Sequence, residues 1–438
     1  MGRTLFGTDG VRGVAGIEIT GQLALALGRA VVNHSGLDAP RALVIRDTRE
    51  SGEMLEAALA SGIASAGGDV SLGGVLPTPA APLLVARHSF DLAAVISASH
   101  NPYTDNGIKF FGSDGFKLSD DTEREIELHI DEDSGGGERI GRIRRLEGGA
   151  EDYVGELERR FAGLSLDGVD VVLDCAHGAT FEVAPEIFTR LGATVTALCV
   201  TPDGRNINAD CGSTHLHALA SAVCEGGHDL GFAFDGDGDR MLAVDRHGNL
   251  VDGDELLALA AIHLRDRGRL AGGGVAVTVM TNFGFHTAMA QAGIEVTTTP
   301  VGDRYVLEAL RERGWTLGGE QSGHIIEMGF APSGDGIAAA LLVLEALDGG
   351  DLHERAAMAK LPQRLVNVRL PDRGALLDAA AMEEAVAAAS AKLDGRGRVL
   401  VRRSGTEPLV RVMVEAPSVQ ETDEVCARLV AVVEELLG

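Results

Sequence analysis

Short apolar runs, each ending in a polar stretch, recur along the chain: Ala42 to Ile45, Leu92 to Ile96, Val169 to Asp174, Leu230 to Asp235 and Val275 to Met280. Runs of this kind, bounded by turn residues, predict strands covered on both faces. Segments of helical periodicity lie between them, predicting helices at about Gly21 to Val32, Gly52 to Ala66, Glu151 to Phe161, His215 to Glu225, Asp254 to Leu264 and Asp335 to Leu347. Further strands are predicted at Ile108 to Phe111, Thr194 to Val200, Met241 to Asp245 and Val296 to Thr299. This alternation reads as mixed or parallel sheets with helices packed on them. The strand-then-polar-loop pattern at Ala42, Val171 and Val275 suggests three related α/β units. The pattern then changes to an alanine-rich helix (about Gly374 to Leu393), two strands around Arg402 to Arg411 and a helix from Thr422, a small α+β unit. With the polar, glycine-rich break at 131–150 as the first boundary, the expected domains are 1–150, 151–252, 253–362 and 363–438.

Composition narrows the function. The chain has 438 residues, too many for one core, and a formal charge of −27. Nucleic acids and anionic membranes need a basic face, so neither is an expected partner. An anionic small molecule would need local arginine clusters. Five cysteines without a C-x-x-C pair suit reduced thiols in a cytoplasmic protein, without a zinc site or a disulfide framework. There is no membrane-length apolar run and no signal-peptide h-region. Only four of the 38 basic residues are lysine: Lys109, Lys117, Lys360 and Lys392. A lysine, unlike an arginine, can give up its proton.

Five loops carry the candidate chemistry. The first is Ser97-Ala-Ser-His-Asn-Pro102, at the end of an apolar strand, where α/β proteins place reactive groups. It offers Ser99 as a nucleophile or phosphate carrier beside His100, with Lys109 after the turn. Asp235-Gly-Asp-Gly-Asp-Arg240 is the most specific signal. Its glycines let Asp235, Asp237 and Asp239 converge, and close carboxylates repel by about 4 kcal/mol per pair at an effective dielectric near 20. A hard divalent cation removes that penalty, and an oxygen-only set favours Mg²⁺ or Ca²⁺ over zinc. The EF-hand pattern is excluded, because its glycine and glutamate positions hold Arg240 and Arg246. Gly7-Thr-Asp-Gly-Val-Arg-Gly13 reads either as a turn with a solvated Arg12 or as an anion contact through that arginine. Arg402-Arg-Ser-Gly-Thr-Glu-Pro-Leu-Val-Arg411 reads either as a polar hairpin or as a phosphate cradle, with Ser404, Gly405 and Thr406 between Arg402 and Arg411. Gly318-Gly-Glu-Gln-Ser-Gly-His324 sets Glu320, Gln321, Ser322 and His324 in one loop, a mixture suited to sugar hydroxyl and amine groups.

Four of these loops (97–102, 235–240, 318–324 and 402–408), in this order, resemble the α-D-phosphohexomutase superfamily over essentially the whole chain. The opening Phe6-Gly-Thr-Asp-Gly-Val-Arg-Gly13, the run Asn106-Gly-Ile-Lys-Phe-Phe111 and Gln321 resemble its bacterial phosphoglucosamine mutase branch. Ser333 stands where members often have threonine, which keeps the hydroxyl. The resemblance implies four domains around a central cleft, three similar mixed α/β units and a smaller C-terminal α+β domain that closes over the substrate. It implies phosphorylated Ser99, whose phosphate joins Asp235, Asp237 and Asp239 in holding one Mg²⁺. The implied reaction interconverts glucosamine 6-phosphate and glucosamine 1-phosphate through a hexosamine 1,6-bisphosphate. Lys109 is the implied proton-transfer group, with His100 and Arg12 in support. Glu320, Ser322 and His324 would hold the sugar, and the 402–411 loop would hold the phosphate that is not reacting. A phosphomannomutase or phosphoglucomutase acting on neutral hexose phosphates is the alternative. The expected partner is a phosphosugar, and the expected state is a cytoplasmic monomer or homodimer.

Overall fold

The computed structural model of the chain describes residues 5–7, 9–130, 139–370, 379–403 and 408–436. The chain forms two compact units, one of residues Met1–Met280 and Ile294–Arg355, the other of Thr281–Gly293 and Ala356–Gly438.

In the first unit the apolar runs become the inner strands of three sheets, among the described residues. Ala42, Leu43, Val44 and Ile45 are fully buried, as are Val171, Val172 and Leu173 and Val275, Ala276 and Val277. Apolar side chains on both faces of a strand require cover on both faces, which parallel sheets between helix layers provide. The first sheet runs Phe6–Gly7, Gly10–Val14, Asp105–Gly112, Leu92–Ile96, Arg41–Arg46, Asp69–Val75 and Ile143–Arg145. The second runs Leu250–Val251, Met241–Asp245, Leu230–Phe234, Asp170–Asp174 and Thr194–Leu198, and the third Glu295–Thr299, Gly274–Thr278, Leu317–Gly319 and Ile325–Glu327.

One four-strand order recurs. In each sheet the second strand of the unit, the first and the third lie side by side and parallel, and the fourth folds back antiparallel on the third. The third-to-fourth turns are the segments between Ile96 and Asp105, Phe234 and Met241, and Gly319 and Ile325. These are the serine, aspartate and Glu320–His324 loops. The three related units expected from the strand-loop pattern are therefore present as topology.

In the second unit the sheet is antiparallel, in the order Gln363–Arg369, Leu409–Glu415, Arg398–Arg403. The helices Ala379–Leu393 and Val419–Glu435 pack against it. Residues 374–378 of the predicted alanine-rich helix lie outside the described residues.

Several expectations are corrected. The 131–150 break is not wholly irregular, because Ile143–Arg145 pairs in parallel with Val70–Leu72 and the helix Gly149–Arg160 begins inside it. All of Ile143–Arg145 is exposed, so this edge strand rests on backbone pairing and leaves no apolar pattern to read. The glycine-rich opening is a hairpin, Phe6–Gly7 with Gly10–Val14, rather than a simple turn. The strand read from Ile108 begins at Asp105, because the polar Asp105–Gly107 pairs with Arg12–Val14. Asp69–Val75, Leu317–Gly319, Ile325–Glu327 and Gln363–Arg369 are further strands, and Ala80–His88, Asp120–His129 and Val183–Arg190 further helices, that the periodicity did not mark. Each is short, edge-located or rich in glycine or charge.

Helix starts follow their caps. Asp252 and Glu255 form a reciprocal capping box on Gly253–Asp266. Asp335 caps Gly336–Leu347 by accepting the Ala338 N–H at 2.9 Å, and it also accepts the Tyr153 phenol at 3.0 Å. Burial pushes the Asp335 carboxyl up to about 7, against the backbone and phenol hydrogen bonds that favour its ionised form. A carboxyl whose folded-state pKa is raised is more protonated in the native chain than in the unfolded one. Its contribution to stability is complete below the unfolded pKa and is lost as pH rises towards 7, at up to about 1.4 kcal/mol per pH unit. Thermal midpoints of wild type and Asp335→Asn, compared between pH 5 and 8, should therefore diverge. The wild type should lose more stability than the variant as pH rises, and parallel profiles would refute a titrating cap.

Candidate active site

The seat of Ser99 is built from the loop after the strand Arg41–Arg46. Asp47 and Arg49 are both fully buried, with the Arg49 Nε donating to Asp47 Oδ2 at 2.9 Å. The other guanidinium nitrogens donate to the carbonyls of Ser99 (2.8 Å), Asn101 (3.0 Å) and Pro102 (2.9 Å). Ser97 Oγ donates to Asp47 at 2.6 Å and accepts the Ser99 N–H at 2.9 Å. Asn208 adds a second donor to the Ser99 carbonyl at 2.9 Å. Ser99 itself sits at φ 51°, in the left-handed region that non-glycine residues rarely adopt. Strain of that kind persists only where the surroundings over-determine it, and here one guanidinium does most of that.

From that seat, Ser99 Oγ donates to Asp235 Oδ2 at 2.6 Å and lies 3.2 Å from His100 Nδ1. Asp235, Asp237 and Asp239 are 0, 1 and 5% exposed, and each offers an oxygen within 4.8 Å of the others. Gly236 is required between them, since a Cβ there would meet the Ser99 carbonyl at 2.6 Å. Burial and the neighbouring Asp239 and Asp237 hold Asp235 well above the usual carboxylate range. Asp237 is driven the other way. Burial opposes its ionisation, but Lys109 Nζ at 2.8 Å and Thr78 Oγ1 at 2.6 Å outweigh that and hold it low. Burial likewise opposes the charge on Lys109, which is 2% exposed, and Asp237, Asp9 and Asp239 overcome it, so its pKa is raised. Asp237 Oδ1 and Asp239 Oδ1 are buried without a hydrogen-bond partner. Two orphaned oxygens in a set of three carboxylates fit a hard divalent cation. The aspartates are the residues that would hold it.

The third loop closes on the second. Gly323 accepts the Met241 N–H at 3.0 Å, and no side chain fits there, because a Cβ would lie 2.1 Å from the Met241 carbonyl oxygen. His324 Nε2 stands 3.9 Å from both Asp239 Oδ2 and Asp303 Oδ2. Glu320 is buried and accepts the Gly302 N–H at 3.1 Å, whereas Ser322 is exposed. Gln321, expected to face an amino sugar, donates its amide to Asp252 at 3.2 Å, the helix-capping residue. Arg12 pairs with Asp9, and its Nε is buried without a hydrogen-bond partner. Arg240 donates to His100 Nδ1 at 3.2 Å, and burial followed by this guanidinium lowers the His100 pKa.

The first unit thus brings together Ser99, His100, Lys109, the three aspartates, Glu320 and His324. Arg402 and Arg411 belong to the second unit, where they lie directly opposite each other across the Arg398–Arg403 and Leu409–Glu415 pairing. Like charges in that register repel. Ser404, Gly405 and Thr406 lie outside the described residues.

Sequence reasoning missed Asp47, Arg49, Thr78 and Asn208, and undervalued Asp9, Lys117 and Asp303. Lys117 is half-buried between Asp9 and Asp303, and those two partners raise its pKa although burial opposes the charge. A signal existed for two of these. Asp47 and Arg49 form a charged cluster directly after a fully apolar strand, the same placement that singled out Ser99.

The fold and the site define a phosphohexomutase, and the comparisons agree. Family models described as phosphoglucomutase/phosphomannomutase match in succession: α/β/α domain I at residues 3–135, domain II at 151–248, domain III at 252–364 and the C-terminal domain at 365–432. The chain belongs to this family of isomerases. Among curated relatives, the phosphoglucosamine mutase of Desulforudis audaxviator is 52% identical over 99% of this chain and 98% of its own length. That of Pelotomaculum thermopropionicum is 48% identical over 99% of both. Among solved structures, a phosphoglucomutase/phosphomannomutase family protein from Burkholderia thailandensis matches with a TM-score of 0.84 at 25% identity, over 99% of this chain and 97% of that one. N-acetylphosphoglucosamine mutase from Aspergillus fumigatus, at 17% identity, TM-score 0.68 and 99% and 96% coverage, shares the fold.

Replacing Arg49 with methionine should cost about 3–5 kcal/mol, the usual penalty for stranding a buried charge. It should also lower turnover. Pairing it with Asp47→Leu should recover part of the melting temperature and none of the activity, because the Ser99 and Asn101 carbonyls keep only Asn208 and the Pro102 carbonyl loses its guanidinium donor. Full recovery of both would show that the pair only stabilises the fold.

Proposed function

We propose that this chain is a phosphoglucosamine mutase, interconverting glucosamine 6-phosphate and glucosamine 1-phosphate with Ser99 as the phosphoryl carrier. The observation that carries the mechanism is the Ser99 hydroxyl held 2.6 Å from Asp235, beside Lys109 and two further buried aspartates. The glucosamine assignment rests on the relatives of about 50% identity over the full chain. It does not rest on Gln321, whose amide is committed to Asp252.

In this reading Ser99 Oγ, as a phosphate ester, yields its phosphoryl group to O1 of glucosamine 6-phosphate, giving the 1,6-bisphosphate and a free hydroxyl. The intermediate turns round, and the Ser99 hydroxyl takes the 6-phosphoryl group, releasing glucosamine 1-phosphate. Atoms balance over the cycle, and no external donor is consumed. Lys109 is the proton-transfer group, buried among the carboxylates rather than in water. His100, whose pKa burial and Arg240 lower, stands beside the serine oxygen. Arg12 steadies a phosphate from the first loop. Glu320, Ser322 and His324 take the sugar hydroxyls, and Arg402, Ser404, Gly405, Thr406 and Arg411 hold the phosphate at the far end of the sugar. Asp235, Asp237, Asp239 and a Ser99 phosphoryl oxygen would hold Mg²⁺, which would offset charge on the transferring group. The acidic surface and unpaired cysteines suit a cytoplasmic enzyme. The family models support domains divided near residues 150, 252 and 362.

The test is conversion of glucosamine, glucose and mannose 6-phosphates by the phosphorylated protein with Mg²⁺. A strong preference for glucosamine 6-phosphate is expected. Preference for a neutral hexose phosphate would retain the mechanism and overturn the substrate. Ser99→Ala should fold normally and show no mutase activity, and Lys109→Ala should lose about 10²–10⁴-fold. Near-wild-type turnover by Ser99→Ala would remove the phosphoryl-carrier assignment.

A further inference from the structure

A second cluster of ligand-type side chains lies in the first unit, apart from the aspartates. His177, Cys199 and Cys211 each present a ligand atom within 4.8 Å of the others. They come from three separate segments: the turn after the strand Asp170–Asp174, the turn after Thr194–Leu198, and the residue before the helical turn Gly212–Thr214. His177 and Cys199 both adopt left-handed backbone, with φ of 48° and 54°. Neither residue type favours it, so the surrounding structure imposes it. The His177 N–H donates to the Cys199 carbonyl at 2.7 Å, fixing the two turns against each other.

The donor set is informative. Two thiols and an imidazole are soft or borderline ligands, unlike the all-oxygen aspartate set. The Cys199 and Cys211 sulfurs lie within 4.8 Å of each other. Asp174 spends its oxygens on the Ala176 and Gly212 N–H groups at 2.9 and 2.8 Å, so it orients the cluster from behind. His177 Nδ1 accepts the Thr201 N–H at 3.2 Å, a long bond that a cation can displace. His177 and Cys199 are only partly buried, leaving a way in, and both cysteines are free thiols.

We infer that His177, Cys199 and Cys211 form an accessory site for a thiophilic d¹⁰ cation such as Zn²⁺, distinct from the hard-cation site at the aspartates. Binding replaces the thiol protons with metal–sulfur bonds and leaves a fourth position for water. It also closes the segment 199–211 on itself. That segment carries Asn208, whose amide holds the Ser99 and Asn101 carbonyls at 2.9 and 3.2 Å. The site therefore sits one residue contact behind the serine loop. The inference does not depend on the substrate of the enzyme.

The test uses Cd²⁺ as an ultraviolet-active probe, added to the reduced full-length protein in excess Mg²⁺. One equivalent should give a thiolate-to-cadmium charge-transfer band, and Zn²⁺ should displace it. Cys199→Ser and His177→Ala, at partly exposed positions, should each weaken binding by at least about tenfold. Cys224→Ser, which removes an exposed thiol outside the cluster, should leave it unchanged. No band in the wild type, or an unaltered band in Cys199→Ser, would overturn the site. Loss of the band in Cys224→Ser alone would assign it to that surface thiol and also refute the proposal.

Discussion

Three carboxylates within a few ångströms of one another, with almost no water, form the constraint around which the first unit is arranged. At an effective dielectric near 20 each close pair repels by about 4 kcal/mol, and burial adds to the cost of every charge. The protein answers in three ways. Lys109 is driven into the cluster and kept cationic by it. Arg240 follows the last aspartate in sequence and is itself half-buried among the acids, which raise its pKa although desolvation opposes its charge. Asp235, with the Ser99 hydroxyl as its hydrogen-bond donor, moves towards its protonated form. Two aspartate oxygens remain without a hydrogen-bond partner even so. A chain selected only for stability would have replaced one of these acids, so the unfinished electrostatics mark a site that expects a cation.

The serine loop poses the opposite problem, since Ser99 is held in left-handed backbone that non-glycine residues rarely adopt. Arg49 solves it with planar geometry: one edge of the guanidinium meets Asp47, and the remaining nitrogens reach three carbonyls of a single turn. Lysine could not replace it, because a point charge with three donors lacks the fork that spans the turn. Phosphoryl transfer depends chiefly on positioning and electrostatics. Under the proposed function, Arg49 would supply the first and the aspartate cluster the second.

Much of this was legible in the sequence, for physical reasons. Fully apolar runs such as Leu92–Ile96 and Leu230–Phe234 could be read because burial on both faces leaves no polar residue inside a strand. The Asp235–Arg240 loop could be read because alternating glycines and acids have few other uses. Ile143–Arg145 and Gln363–Arg369 could not, because edge strands are held by backbone bonds that do not depend on side-chain type. The contacts that Arg49 and Thr78 make with the two site loops were invisible for a different reason. Their partners lie 50 or more positions away in sequence, as with Arg49 to Ser99 and Thr78 to Asp237, and no local pattern encodes such a contact.

The recurring strand order explains why the reactive loops meet. In each of the three sheets the third strand leaves the parallel set at its carboxyl end and returns antiparallel, so its turn projects from the edge where α/β sheets bind ligands. A unit repeated three times offers three such turns, and each can diverge in chemistry without disturbing the strands beneath it. One turn became the serine loop, one the carboxylate loop and one the Glu320–His324 loop. Their contacts are made at the turns: Ser99 to Asp235, Gly323 to Met241 at the start of its strand, Asp239 towards His324. The glycines at 236 and 323 mark where two turns touch backbone to backbone, and a side chain at either position would force them apart. The site is thus the product of one hairpin used three times, and its geometry rests on two positions where no side chain can stand.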